Sequence, residues 1–361
     1  KDALLADQKI SGTKATLKWL KLVEKGALEL LELKAHPRGP REDARIAELE
    51  ADEMVRFILL DSAANVLCPA TKLWNTGVGA TVMREAVSLM GGYGITEDCP
   101  GFLGQKWMDA QLEATYEGPE AVQRRQMSVT MSNPVFLAQL KGWLRELRHI
   151  AGTHPGTGAC ALATALDLWL WTHRHLEGAK DADGKGLMQA PRQGVTFKLA
   201  DALAWLVAAR AQVLDAVELA DNGAAILGDA HASTARFFAD LCHVQIARAA
   251  GEVGRICAEL VHGYNRHPQW DDEGRVACWS ANDAEALEGI VPGLAGCSYD
   301  VLADGSHPDK EGPCASCRGI TDFRNLRAKL DGCLSGAGLS KDRAAEAVSR
   351  VMIPEALDYP R

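Results

Sequence analysis

An all-α fold is the class this sequence predicts, and three observations carry it. Long stretches consist of strong helix formers with apolar residues at steps of three and four. Breaks at Pro37-Arg38-Gly39-Pro40, Asn133-Pro134 and His154-Pro155-Gly156 punctuate them. No β-rich run precedes Gly91. Two helical bundles are expected, over 1–150 and 151–268, followed by an irregular cysteine-bearing tail over 269–361.

The 361 residues suffice for two or three packed units. Apolar residues make up 47% and charged residues 24%, the balance of a soluble globular protein. With 39 basic and 48 acidic side chains the formal net charge is −9, which argues against nucleic acid or an anionic membrane surface as a partner. A local basic pocket for an anionic ligand stays compatible with it. No run reads as long and apolar enough for a membrane span. The chain opens on Lys1, without a basic-then-apolar signal before Ile10, so it reads as cytoplasmic and as beginning inside a longer protein. Its ten scattered cysteines fit reduced core residues in such a compartment.

In order, the first helix is expected over 13–33, with Leu17, Leu20, Val23, Ala27, Leu30 and Leu31 as its stripe. A second is expected over 42–66, burying Ile46, Leu49, Val55, Ile58 and Leu59. A third, over 78–90, delivers the chain to Gly91. The stretch 91–126 then reads GGYGITEDCPGFLGQKWMDAQLEATYEGPEAVQRRQ. Glycines clustered at 91, 92 and 94 permit positive φ or close approach to a flat ligand. Glu117, just before Gly118-Pro119, stands where loop meets helix and a side chain can be aimed into a cleft. Taken locally, the same residues also read as a helix C-cap, a loop and a helix start.

Taken together, these motifs resemble the carboxyl-terminal helical domain of the acyl-CoA dehydrogenases. The matching residues are Gly91-Gly92-Tyr93-Gly94-Ile95, Glu97-Asp98-Cys99-Pro100, Asp109-Ala110, Tyr116-Glu117-Gly118 and Gln123. The resemblance implies a four-helix bundle in which Glu117 is the base that removes the α-proton of an acyl-CoA. It further implies that Gly91, Gly92, Gly94, Tyr116, Gly118 and Gln123 approach FAD, some of them across a subunit interface. Electrons would leave through an electron-transfer flavoprotein. The amino-terminal helical and β-rich domains of the family would come from outside these residues, in a homo- or hetero-oligomer or a preceding segment. Three departures touch the flavin site: Pro119 replaces a Thr or Ser, Met108 an Arg, and Ser88 a Gln. They motivate a competing reading, a non-catalytic scaffold subunit of a flavoenzyme complex.

Beyond this stretch, helices are expected over 135–150, 195–219 and 229–261. Trp169 and Trp171, within 166–175, read as packing residues against the alternative of cofactor contact. Lys180 to Lys185 reads as a solvated turn. The segment Ser233-Thr234-Ala235-Arg236-Phe237-Phe238-Ala239-Asp240 resembles the extra helical domain that ends the long class of acyl-CoA dehydrogenases. Phe237, Leu241, Val244 and Ala247 are its expected buried face, and His231 and His243 are too far apart for a helical metal pair. In the tail, Cys297, Cys314, Cys317 and Cys333 have the spacing C-x16-C-x2-C-x15-C. That spacing admits a four-thiolate zinc or iron–sulfur site, which would make the tail an electron-transfer module, or reduced, locally reactive cysteines.

Overall fold

The computed structural model describes residues 13–36, 39–99, 101–181, 184–263 and 315–351. Its named elements are all helical, and among the described residues the extended structure amounts to one isolated bridge, Lys180 to Gly186. The chain divides into two units, residues 1–146 and 147–361.

In the first unit, α1 (Thr13–Leu33) lies over the range its periodicity predicts. Val23, Ala27 and Leu30 of α1 form a core with Ile46, Leu49, Met54, Val55 and Val135. The next two helices are cut differently from the expectation. α2 (Pro40–Ala51) stops at Asp52, whose carboxylate accepts the amides of Met54 at 2.8 Å and Val55 at 3.3 Å. This N-cap opens α3 (Glu53–Leu89), one 37-residue helix running through Pro69, Gly77 and Gly79 to the glycine turn. A proline interior to a helix forfeits one hydrogen bond and crowds the preceding turn. Here Pro69 is buried among Val66, Ala70 and Leu73, so tertiary packing offsets the local penalty. Gly77 permits the approach of α5 (Glu120–Thr130): a Cβ there would lie 3.2 Å from Glu120 Oε1. Between them runs α4 (Leu103–Glu113), packed on α3.

The expectation that no run is long and apolar enough to span a membrane does not hold for α3. By length and composition alone it passes. Its Val66, Ala70 and Leu73 are spent on the core of the first unit.

α6 (Pro134–Thr153) is capped by Asn133, whose side chain accepts from Val135 N and Phe136 N. The second unit centres on α7 (Ala159–Gly178), α8 (Gln193–Asn222) and α10 (His231–His262), with the single-turn α9 (Ala224–Leu227) before α10. Trp169 is fully buried, and its indole N–H donates to Leu199 O at 3.0 Å, which is the packing role. The buried face of α10 is rotated from the expected one. Cys242, Ile246, Ala249, Ala250 and Val253 are buried, whereas Phe237, Leu241, Val244 and Ala247 are half-buried. The rotation follows from its partners: α10 packs on α7 and α8 and also on a later helix. His231 and His243 are satisfied locally, His231 Nε2 against Leu219 O at 2.8 Å and His243 Nδ1 against Ser340 Oγ at 2.9 Å.

That later helix corrects the reading of the tail as irregular throughout. Residues 315–351 form α11 (Ala315–Cys333) and α12 (Ala337–Val351), which pack on α7 and α10. On α11, Phe323, Leu326, Leu330 and Cys333 recur at steps of three and four, the spacing of one helical face. The ring of Phe323 contacts Trp171 and His262. On α12, Arg343 clasps Asp240 of α10 with two hydrogen bonds, Nε to Oδ2 at 3.0 Å and Nη2 to Oδ1.

Burial works to raise the Asp240 pKa, but the Arg343 and Ser340 hydrogen bonds and the Arg343 charge outweigh it and hold the carboxyl below its usual range. A group depressed in the folded state stabilises above its unfolded pKa, and that contribution is lost as pH falls through the folded value. The second unit is therefore expected to lose stability below about pH 4. Arg343→Met should cost about 1–3 kcal/mol at pH 7, by leaving a buried carboxylate without its charged partner and with fewer donors, and should flatten this acid dependence. Thermal melts at pH 7 and pH 3 check it. Equal acid sensitivity in variant and wild type would remove Asp240 as the cause.

Candidate active site

The site is built at the junction of α4 and α5. α4 ends at Glu113, and four residues later Glu117 takes a left-handed backbone conformation at φ +52°, followed by Gly118 at φ +91°. Left-handed φ is uncommon for a residue with a Cβ and persists where its surroundings hold it. Here Gln123, on the first turns of α5, holds it. Its side-chain N–H group donates to Gly118 O at 2.9 Å and to Glu117 O at 3.2 Å. Glycine suits this φ, and a Cβ at Gly118 would lie 2.6 Å from that same Gln123 nitrogen, so a larger residue would push Gln123 off the two carbonyls it holds. Pro119 is the N-cap of α5, and its carbonyl accepts from Val122 N and Gln123 N.

Glu117 itself is exposed, and its carboxylate has no hydrogen bond or ion pair among the described residues. Tyr116 is tied back instead. Its hydroxyl donates to Glu113, and the accepting carboxylate pushes the phenol pKa up. Lys72 of α3 lies over the Tyr116 ring, 4.3 Å from its centre, and donates to Glu113 O at 2.7 Å. The junction thus hangs from the middle of α3. Lys72 and Glu113 escape a reading of the sequence, because 41 residues separate them and neither belongs to a motif. The far end of α5 is fastened too, with Thr130 Oγ1 donating to Asn65 O at 3.0 Å.

The glycine turn lies at the other end of α4. Residues Gly91–Ile95 form a 3-10 turn with Gly91 at φ +60°. Gly94 is buried against α3, where a Cβ would meet Val87 O at 2.6 Å, while Gly91 and Gly92 are open. Tyr93 O–H donates to Asp98 O at 2.8 Å and closes the loop. The structure therefore brings Glu117, Gly118 and Gln123 into one hydrogen-bonded turn beside Tyr116. Gly91, Gly92 and Gly94 form a separate turn, joined to it through the length of α4. Tyr93, Ile95, Met108, Leu112 and Tyr116 are all exposed on the glycine turn, α4 and the junction. These side chains leave an exposed apolar surface along the glycine turn, α4 and the junction.

Cys297 and Cys314 lie outside the described residues, as do Pro37 and Arg38 of the first expected break and Pro100 of the acidic motif, and the Cys317 side chain is likewise not described. Among the described residues, no group of three or more His, Cys, Asp or Glu side chains gathers as for a metal. The Cys333 thiol lies against Cys160, a partner no spacing in the tail suggests.

Helices of this order, ending in a glycine turn and a Tyr-Glu-Gly junction, make up an all-helical domain. Residues 43–131 match the family model of the acyl-CoA dehydrogenase C-terminal domain, and the chain carries such a domain over that span. No curated protein and no solved structure matches the chain.

Proposed function

We propose that residues 43–131 are the base-bearing helical wall of an FAD-dependent acyl-CoA dehydrogenase, which introduces an α,β double bond into an acyl-CoA thioester. The observation that carries the reading is Glu117: within the family-matched segment it is held at left-handed φ by Gln123, with its carboxylate exposed and unengaged among the described residues. A carboxylate so presented can take an α-proton once substrate and a second wall exclude water from it. Bound FAD would accept the hydride leaving the β-carbon. Gly91 and Gly92 leave the backbone open to a ring, and Tyr116, fixed by Glu113 and Lys72, lines the approach to the base.

The second wall is assigned to β-rich structure outside the described residues, on another chain or another segment of the same polypeptide. An oligomer, an electron-transfer flavoprotein as acceptor and a cytoplasmic setting belong to the same proposal. So does the assignment of the second unit to the extra helical domain of the long class. The scaffold reading draws on Met108, Pro119 and Ser88, of which Met108 is strongly exposed and makes no compensating polar contact of the kind an arginine would. The two readings separate in one experiment on the chain purified alone and with its copurifying partners. The chain alone is expected to bind FAD far below stoichiometry, and the assembly to show a flavin spectrum that acyl-CoA bleaches. Stoichiometric FAD binding by the chain alone would overturn the need for a second wall. A flavin-free assembly would overturn the enzymatic reading.

A further inference from the structure

Cys160 and Cys333 are 173 positions apart in the sequence, yet their sulfurs lie 3.3 Å apart. Cys160 is the second residue of α7 and is exposed; Cys333 is the last residue of α11 and is half-buried. Their meeting is set by packing. Leu330, three residues before Cys333 and on the same face of α11, is fully buried. It seats against Gly254 of α10, where a Cβ would come within 2.8 Å of Leu330 Cδ2 and 2.0 Å of Arg327 Nη1. The missing side chain at Gly254 thus lets α11 lie close enough for its last turn to reach the start of α7. Thr164, one turn along α7, lies 3.7 Å from the Cys333 sulfur and donates to Cys160 O at 2.9 Å, flanking the pair.

We propose that Cys160 and Cys333 are an oxidation site, forming a reversible intramolecular disulfide that covalently fastens the α11–α12 pair to the second helical unit. Bonded sulfurs lie about 2.05 Å apart, so closure asks for about 1.3 Å of sulfur movement, within reach of side-chain rotation at two helix ends. The oxidant is a low-molecular-weight disulfide. The Cys160 thiolate attacks one sulfur of that disulfide, forming a mixed disulfide and releasing one small thiolate. The Cys333 thiolate then attacks the Cys160 sulfur, forms the protein disulfide and releases the second small thiolate. The protein pair loses two electrons, the oxidant gains them, and the two thiol protons end on the two released thiols.

Accessibility assigns the first attack to Cys160. Burial, with the hydrogen bond and charge of Cys333, raises its thiol pKa on balance, and the Lys329 charge offsets only part of that, so exposure and not acidity makes it the first to react. The amino-terminal end of α7 also favours the thiolate. Two other cysteines of this unit do not compete. Cys242 and Cys257 are fully buried, and burial pushes both thiols up to about 12.

The test incubates the full-length reduced chain with oxidised glutathione, blocks free thiols, and maps disulfides by peptide mass spectrometry. The dominant product expected is the Cys160 peptide joined to the Cys333 peptide, absent from Cys160→Ser and Cys333→Ser. The melting transition of the second unit should rise by about 5–10 °C on oxidation and return with dithiothreitol. Cys160→Ser, a change at an exposed position, should melt like the reduced wild type and show no rise. Glutathione left on Cys160 as a mixed disulfide, both thiols recovered free, or Cys333 joined to a different cysteine would each overturn the proposal.

Discussion

Glu117→Gln is expected to abolish flavin reduction by acyl-CoA in the assembled enzyme while leaving the fold, flavin content and acyl-CoA binding in place. The amide is nearly isosteric with the carboxylate. The left-handed turn is held by Gln123 through the backbone carbonyls of Glu117 and Gly118, not through the Glu117 side chain. The substitution therefore removes the basicity and leaves the geometry. General-base catalysis contributes about 10²–10⁴-fold, and the loss should reach at least that range where water is excluded. A carboxylate serving a helix N-terminus gives a contrasting expectation: about 0.3–1 kcal/mol of stability and turnover nearly unchanged. Rapid-mixing measurement of flavin bleaching separates them. Undiminished bleaching in the variant would move the base to another residue, on this chain or on a partner.

Where the turn motif is contiguous, the sequence already points to this site. Tyr116, Glu117, Gly118 and Gln123 fall within eight residues, and the structure joins the last three by hydrogen bonds. What positions the motif is not contiguous. Lys72 reaches Glu113 and Tyr116 from the middle of a helix whose own pattern is explained by packing. A charged residue on a helix surface carries no local sign of the backbone carbonyl it will meet.

Helix boundaries show the same division. α1 is legible because its apolar steps run without interruption from one end to the other. α3 is not, because Pro69 and Gly77 look like breaks until the core closes over Pro69 and Glu120 of α5 comes up against Gly77. Asp52 works in the opposite direction, interrupting a stretch of continuous helical periodicity by capping the amides of Met54 and Val55. In the tail, the Cys-x-x-Cys spacing draws attention to sulfur chemistry, whereas the sparse stripe of Phe323, Leu326 and Leu330 is what orders α11. Cys160 has no distinguishing neighbours in sequence, so its approach to Cys333 emerges only from the packing of α11 on α7 and α10.

Trp169→Ala is expected to be among the most destabilising single changes in the second unit. The side chain is completely buried, stacked on His173 with ring centres 5.3 Å apart, and anchored to α8 by its N–H bond to Leu199 O. Truncation removes the ring and leaves a cavity between α7 and α8 that helices fixed by many other contacts cannot fully close. Changes of this type cost about 3–5 kcal/mol, which for a unit of this size lowers the melting temperature by roughly 10–15 °C. Trp169→Phe isolates the polar part of the loss. It keeps most of the apolar volume and removes the donor. Leu199 O lies inside α8, where a helical amide still satisfies it, so the cost should fall to about 1–2 kcal/mol. The complete burial of Trp169 leaves no ring surface for a ligand, so neither variant should alter flavin content in protein that remains folded. Circular-dichroism melts of the two variants against wild type check the ordering. An alanine variant melting within a degree or two of wild type would show that the ring is not what holds α7 to α8.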